Sequence, residues 1–287
     1  MTPKLSIILV NYRSADVLEG CLSSIYVATN ESVEVILVDN SAGEEGADKV
    51  LKQSGHRGHY FPQAENIGYT RAAILGAAHA AGEFICFLNP DTLLERHALD
   101  RLIDWVRQHP RTVAGPREKN PADEIVTTAF PFVTRRYIFG ANIFYNISWP
   151  TSWRPFLSWL VPSFRFSRMC RQAAEPIAVP VLSGACLVMP RAVWTEVGDW
   201  NQELTYFGLE SEWFKRAREL GVIAWYVPDA VTFHEHAVSI KRSGGGIVSQ
   251  EANRNRHWHA RQLGWLAIAG LALALWVERL IRRHPEE

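Results

Sequence analysis

Three short apolar runs, each closing on a polar residue, constrain this chain more than any other feature of its sequence. Leu5–Val10 (LSIILV), Val33–Val38 (VEVILV) and Glu83–Leu88 (EFICFL) are brief and largely continuous, and the first two are rich in β-branched residues. They read as strands buried on both faces. After the first run, Ser14 is placed to cap a helix whose apolar positions Val17, Leu18, Cys21, Leu22 and Ile25 recur with helical period. The second is followed by a polar helical stretch, a short strand at His59-Tyr60-Phe61, and the turn Asn66-Ile67-Gly68-Tyr69 into an alanine-rich helix over 70–81. Beyond the third, Thr92 can cap a helix carrying Leu94, Leu99, Leu102, Ile103 and Val106, which stops at Pro110. Strand and helix alternate, so the expected class is α/β, with a mainly parallel sheet and helices on both faces.

Residues 112–135 read as irregular, and 137–166 are aromatic and broken by proline. Order resumes with strands at 179–182 and 187–189, a helix over 209–220 closed by Gly221, and a strand over 222–227. The expected organisation is one domain over 1–245, with 137–170 as an aromatic insertion facing acceptor or membrane, followed by a helical segment over 246–287. Thirty basic and thirty acidic residues cancel, so nothing points to nucleic acid. Four scattered cysteines with no CxxC pair read as reduced thiols of a cytosolic protein, not as a metal cluster. The first apolar run is too short for a signal-peptide core, which predicts a cytoplasmic location. Leu263–Val277 is uncharged and flanked by Arg254, Arg256, Arg261, Arg279, Arg282 and Arg283. As a helix it reaches only ~22 Å, against ~30 Å of hydrocarbon. An interfacial or re-entrant helix at the inner face of the membrane, docked through tryptophan and arginine, fits this run better than a spanning one, and a helix packed on the domain is the third reading.

In a sheet of this kind ligands bind beyond the carboxyl ends of the strands. Asp39 and Asp91 each follow a buried strand and so share that rim. Either carboxylate could accept hydrogen bonds from a nucleotide or ligate a divalent cation, although Asp is also a common turn residue. Pro90 lacks an N–H and directs the chain over the rim, which projects Asp91 towards a nucleotide diphosphate carrying Mg²⁺ or Mn²⁺. Glu210 and Glu212 open the helix after Gly208, where acids also complement the helix dipole. Glu212 has Arg216 four residues on, the spacing of a helical ion pair, whereas Glu210 has Trp213 and Phe214 at the matching offsets. A carboxylate against aromatic surface has a raised pKa and is poised to accept a proton. His234 and His236 flank Glu235 on what reads as a loop leaving a strand, with His234 the preferred metal or diphosphate contact.

The order of these motifs resembles the family 2 glycosyltransferases of GT-A fold, and within them the rhamnosyltransferase-like branch. The match covers about residues 5–240: LSIILVNYRS, VILVDNSA, NIGYTRAAILG, FLNPDT, VLSGACLVMPRAVWTEVGDW, the acidic helix start, and His234 with Ser239. Where the family commonly shows Glu-Asp followed two residues later by Asp, this chain has Leu209-Glu210-Ser211-Glu212. The resemblance implies that Asn11, Arg13, Asp39, Asn66, Gly68, Arg71, Asn89 and Asp91 serve the nucleotide and donor, with Asp39 on the base. It implies a Mg²⁺ or Mn²⁺ ion at Asp91 and His234, Glu210 (with Glu212) as the catalytic carboxylates, and Ser183, Gly184 and Trp213 on the acceptor side. The reaction implied is inverting sugar transfer, with dTDP-rhamnose the first choice of donor. The acceptor would be a lipid-linked (polyprenyl diphosphate) or polysaccharide glycan at a membrane surface, and a second copy of the chain is a further partner. The competing readings are a membrane-bound glycan- or nucleotide-binding protein without turnover, and a nucleotidyltransferase. The latter wants a Gly-rich phosphate loop after the first strand, where this chain has Asn11-Tyr12-Arg13.

Overall fold

The computed structural model describes residues 3–44, 46–135, 137–138, 162–205, 208–234 and 246–282. The three apolar runs form β1 (Leu5–Asn11), β2 (Val33–Asp39) and β4 (Phe84–Leu88), with β3 (Arg57–Pro62) at one sheet edge. Between them lie α1 (Ala15–Ala28), α2 (Ala47–Gln53) and α3 (Tyr69–Ala78). Then follow β5 (Thr92–Leu94), α4 (Ala98–Gln108), β6 (Thr112–Lys119), β7 (Ala129–Phe130), α5 (Pro162–Gln172), β8 (Ile177–Val179), β9 (Val181–Leu182) and β10 (Cys186–Pro190). The chain continues through α6 (Arg191–Val197), α7 (Leu209–Glu219), β11 (Ile223–His234), α8 (Gly246–Leu263) and α9 (Trp265–Arg282).

The main sheet runs β3-β2-β1-β4-β10-β6-β11-β5, with β8 added alongside β11. Strands β1 to β4, β6 and β11 point the same way, and β10, β5 and β8 oppose them. The sheet is mainly parallel, as the alternation predicts. Alternate side chains of one strand enter two separate cores. Leu5, Ile7 and Leu9 pack with α1, α2 and α4, whereas Ile8 and Val10 pack with α3, α6 and α7. Both faces are therefore covered, and the rim alone is left to chemistry.

Four local expectations are corrected. Ser14 precedes α1 but makes no side-chain cap; its hydroxyl donates to Asn11 Oδ1 at 2.9 Å. Thr92 starts β5 and does not cap a helix, because residues 92–94 pair antiparallel with β11. Residues 112–119, read as irregular, form the strand β6 beside β11. Strand β11 does not end before Pro228 but continues to His234, taking up the Pro228-Asp229 turn as a register shift between Val227 and Val231. His236, Ser239 and the aromatic stretch 139–161 lie outside the described residues.

The C-terminal segment forms two helices broken at Gly264, which takes a left-handed φ of +90°. Among the described residues no helix is long and apolar enough to cross a membrane. Helix α8 packs on the domain: Trp258 joins one of the two cores, and Ala260 packs with Ala267 and Leu271 of α9.

Candidate active site

Every sequence-predicted contributor on a strand comes to one edge of the sheet. Asn11 pairs with Asp39 in register at the ends of β1 and β2, and Leu9 pairs with Leu88 at the end of β4. Two strand spacings, ~10 Å, therefore separate the tips of β2 and β4. β10 begins at the same edge, and the Asn89 amide donates to the Ala185 carbonyl at 2.9 Å, tying the Asn89-Pro90-Asp91 turn to the Ser183-Gly184 loop. β6 and β11 end there as well, with Glu118 and His234.

The pairing of β5 with β11 sets His234 opposite Thr92 and therefore beside Asp91. His234 Nε2 lies 2.9 Å from Asp91 Oδ1, and its Nδ1 lies 3.1 Å from Glu118 Oε1. All three side chains are buried. Burial alone would lower the His234 pKa, but the hydrogen bonds and charges of Asp91 and Glu118 outweigh it and lift it to about 10. The two carboxylates thus favour the protonated imidazole, which would have to give up its Nε2 proton to ligate a cation. Sequence reasoning missed Glu118. Its one signal was a position just beyond Val113-Ala114, in a stretch whose Gly115-Pro116 reads as a break.

Glu210 is half-buried in the first turn of α7, and burial pushes its pKa up to about 7 against the lowering effect of its own N–H and that of Gly184. Aromatic neighbours are not the cause given by the structure. The closest approach is glycine: a Cβ on Gly184 would stand 2.6 Å from Glu210 Oε1. Ser183, beside it, lines a shallow cleft with Gly115, Pro116, Glu118, Thr128, Leu182 and Cys186. The cleft leads from the Ser183-Gly184 loop to Glu118, the partner of His234.

Two expected roles change. Trp213 is almost fully buried, stacks on Trp194 and donates its indole N–H to the Gly198 carbonyl at 2.7 Å. It is core and cannot line the acceptor side. Glu212 is taken by Arg216 in a two-pronged pair at 2.8 and 3.0 Å, and Arg216 also holds the Val197 and Asp199 carbonyls. Its carboxylate holds the guanidinium that ties α7 to the end of α6 and the residues after it, so Glu212 is engaged in structure.

On the other half of the edge, Asp39 is closed to solvent and accepts from Asn11 Nδ2, the Ser41 amide and the Tyr60 hydroxyl, the last at 2.6 Å. Burial and this bond push the Tyr60 pKa up. A carboxylate has about four acceptor sites, so these three bonds take up most of the capacity of Asp39. Next to it Asn40 Oδ1 is buried with no hydrogen-bond partner among the described residues. Arg13 sits in a left-handed turn, its amide bonded to Ser41 Oγ. Asn66 Oδ1 accepts from the Gly68 amide at 2.9 Å, and Arg71 is exposed on the first turn of α3. Thr70 Oγ1 donates to the Leu204 carbonyl at 2.6 Å, joining this turn to the loop that leads to Glu210.

The family model described as "Glycosyl transferase family 2" matches residues 6–148, the half of the chain that carries Asn11, Asp39, Asn66 and Asp91. The chain belongs to that family. This family 2 glycosyltransferase is 28% identical over 309 aligned residues to the N-acetylglucosaminyl-diphospho-decaprenol L-rhamnosyltransferase of Mycobacterium tuberculosis, covering 99% of this chain and 96% of that one. That similarity supports the rhamnosyltransferase-like branch. Among solved structures, the mannosyltransferase PcManGT of Pyrobaculum calidifontis, in complex with GDP-Man and Mn²⁺, is similar at a TM-score of 0.55 and 16% identity, over 96% of this chain and 76% of that one. S. aureus TarS 1-349 gives a TM-score of 0.53 at 14% identity, over 94% and 71%. At such identities these two structures show the GT-A fold alone.

Among the described residues of the glycosyltransferase no group of three or more His, Cys, Asp or Glu side chains forms a metal cluster. The donor set nevertheless suits a cation that brings its own phosphate oxygens. Asp91 Oδ1 and His234 Nε2 stand 2.9 Å apart. Adjacent ligands of an octahedral cation bound at ~2.1 Å are ~3 Å apart. Glu118 on the far nitrogen is the usual support of a metal-bound imidazole.

Proposed function

We propose that the chain transfers a sugar from a nucleotide donor to a lipid-linked glycan at the cytoplasmic face of a membrane, with inversion at the anomeric carbon. Rhamnose from dTDP-rhamnose is the first donor, and a polyprenyl-diphosphate-linked N-acetylglucosamine the first acceptor. Both choices draw on the rhamnosyltransferase relative, whose name carries such an acceptor. The reading is carried by one observation: a half-buried carboxylate, Glu210, with a pKa near 7, on the same sheet edge as the Asp91–His234 pair.

Glu210 would take the proton of the acceptor hydroxyl as that oxygen attacks C1 and the C1–O bond to the nucleoside diphosphate breaks. Gly184 leaves room for the carboxylate, and its amide helps to fix it. Asp91 and His234 would hold a Mg²⁺ or Mn²⁺ ion, with Glu118 orienting the imidazole. The ion would neutralise charge on the departing diphosphate. The nucleoside would lie along Asn11, Asp39 and Asn40, with Asn66, Gly68, Arg71 and Arg13 around it.

The experiment is incubation of the purified protein with a panel of nucleotide sugars, with and without Mn²⁺, and with a polyprenyl-diphosphate-N-acetylglucosamine acceptor. The expected result is dTDP release matched by glycan extension. Glu210→Gln and Asp91→Asn should each slow it by about 10²-fold or more, the usual worth of a positioned base or charge. Wild-type turnover in both variants would sink the assignment, and donor binding without transfer to any acceptor would favour a binding protein.

A further inference from the structure

Helix α9 presents an apolar face that no described residue covers. Trp265 and Trp276, near its two ends, are 74% and 58% exposed, and Leu266, Ile268 and Leu273 between them are also exposed. Ala267 and Leu271, on the opposite side, pack against Ala260 of α8 and Ile138. A soluble surface rarely leaves so many large apolar side chains together without a partner.

We infer that this face of α9 rests on an anionic lipid bilayer, with the helix lying in the headgroup plane. Among the described residues no helix is long and apolar enough to cross a membrane, and a helix with one apolar face is suited to lie in the headgroup plane. Its two tryptophans are the residue type that settles at the lipid–water boundary. In sequence the uncharged run is bracketed by arginines, the exposed Arg261 before it and Arg279 and Arg282 after it, with Glu278 the one acid of α9. Anionic headgroups complement that pattern. A second copy would have to pair antiparallel, since parallel pairing of two α9 helices brings their arginine-bearing ends together.

The other helix of the pair fixes where this places the chemistry. On α8, Trp258 Nε1 donates to Glu203 Oε2 at 2.7 Å, Asn255 bonds the Thr205 carbonyl, and His259 Nε2 donates to the Gly208 carbonyl at 3.0 Å. Gly208 is the cap of α7, two residues before Glu210. A bilayer under α9 therefore lies one helix away from the base, and a diphosphate-linked glycan reaches Glu210 with its lipid still in the membrane. The purpose of the surface rests on the lipid-linked acceptor reading, but the evidence for it does not.

Flotation of the full chain with vesicles tests this. Vesicles of phosphatidylcholine with phosphatidylglycerol should carry the protein upward, less so at high salt, and phosphatidylcholine alone should carry far less. Trp265→Ser with Trp276→Ser should cut partitioning by about tenfold or more, as burial of one large apolar side chain is worth about a decade of affinity. Circular dichroism should show the variant folded as before. The inference fails if the wild type floats with neither vesicle, or if the double variant floats as the wild type does. It also fails if the wild type sediments as a dimer that the double variant breaks, since a second copy then covers the face. No nucleotide sugar is present, so failure here leaves the transfer reading standing, and failure of transfer leaves this one.

Discussion

Replacing Gly184 by alanine probes the base without touching it. The new methyl would stand 2.6 Å from Glu210 Oε1, while its distances to Cδ and Cγ, 3.6 and 3.7 Å, are ordinary contacts. Relief therefore comes from the carboxylate swinging away by roughly an ångström. The displaced atom ends a flexible side chain, so the cost to folding should stay under about 1 kcal/mol. Catalysis should be far more sensitive, because a displacement of that size costs on the order of 10²-fold in rate. The assay is kcat at saturating donor and acceptor, with the donor KM and the thermal midpoint measured on the same preparations. The expected pattern is kcat down by about 10²-fold, donor KM unchanged, and a midpoint within a few degrees of wild type. An unaltered kcat would refute the placement of Glu210 against Gly184, and a collapsed midpoint would refute the claim that the side chain can yield.

Further outcomes follow from the same geometry. Turnover should rise with pH as Glu210 ionises around 7 and be lost below it; a rate flat across that range would contradict the assignment. A raised carboxyl pKa means that the folded chain keeps a proton already lost by the unfolded one between about 4.5 and 7. Its contribution to stability should therefore fall as pH rises through that window, and denaturant titrations of Glu210→Gln should lack that fall. Glu118→Gln should weaken Mn²⁺ binding by about 10-fold or more, read by calorimetry without donor; equal affinity would deny it a part in holding His234. Glu212→Gln should lower stability by about 1–2 kcal/mol and leave kcat close to wild type, as suits a carboxylate spent on Arg216.

What could be read from the chain follows the strength of local patterns. β1, β2 and β4 were legible because strands buried on both faces must be apolar throughout. Asp39 and Asp91 were legible as sites because they follow those strands directly. β6 was not, since Gly115-Pro116 sits at its middle and Arg117-Glu118-Lys119 at its end. Its strand character comes from β11 alongside, a partner over 100 residues away. Glu118 was lost with it. β5 has three residues and no pattern of its own, yet its pairing is what sets His234 beside Asp91. Trp213 was misread although a signal was present: Leu209, Trp213 and Ala217 recur every four residues, the mark of a buried helix stripe.

The cap of α7 has a consequence for anyone shortening this chain. Gly208 turns left-handed beneath the His259 ring, where even a methyl would come within 2.5 Å of Nε2. A fragment ending near residue 245, trimmed to avoid the sticky tail, would strip that cover from the turn and uncouple Thr205 and Glu203 as well. Such a fragment could keep its sheet and bind nucleotide, yet present its proton acceptor on a frayed helix end. Solubility gained by that route would be traded for turnover.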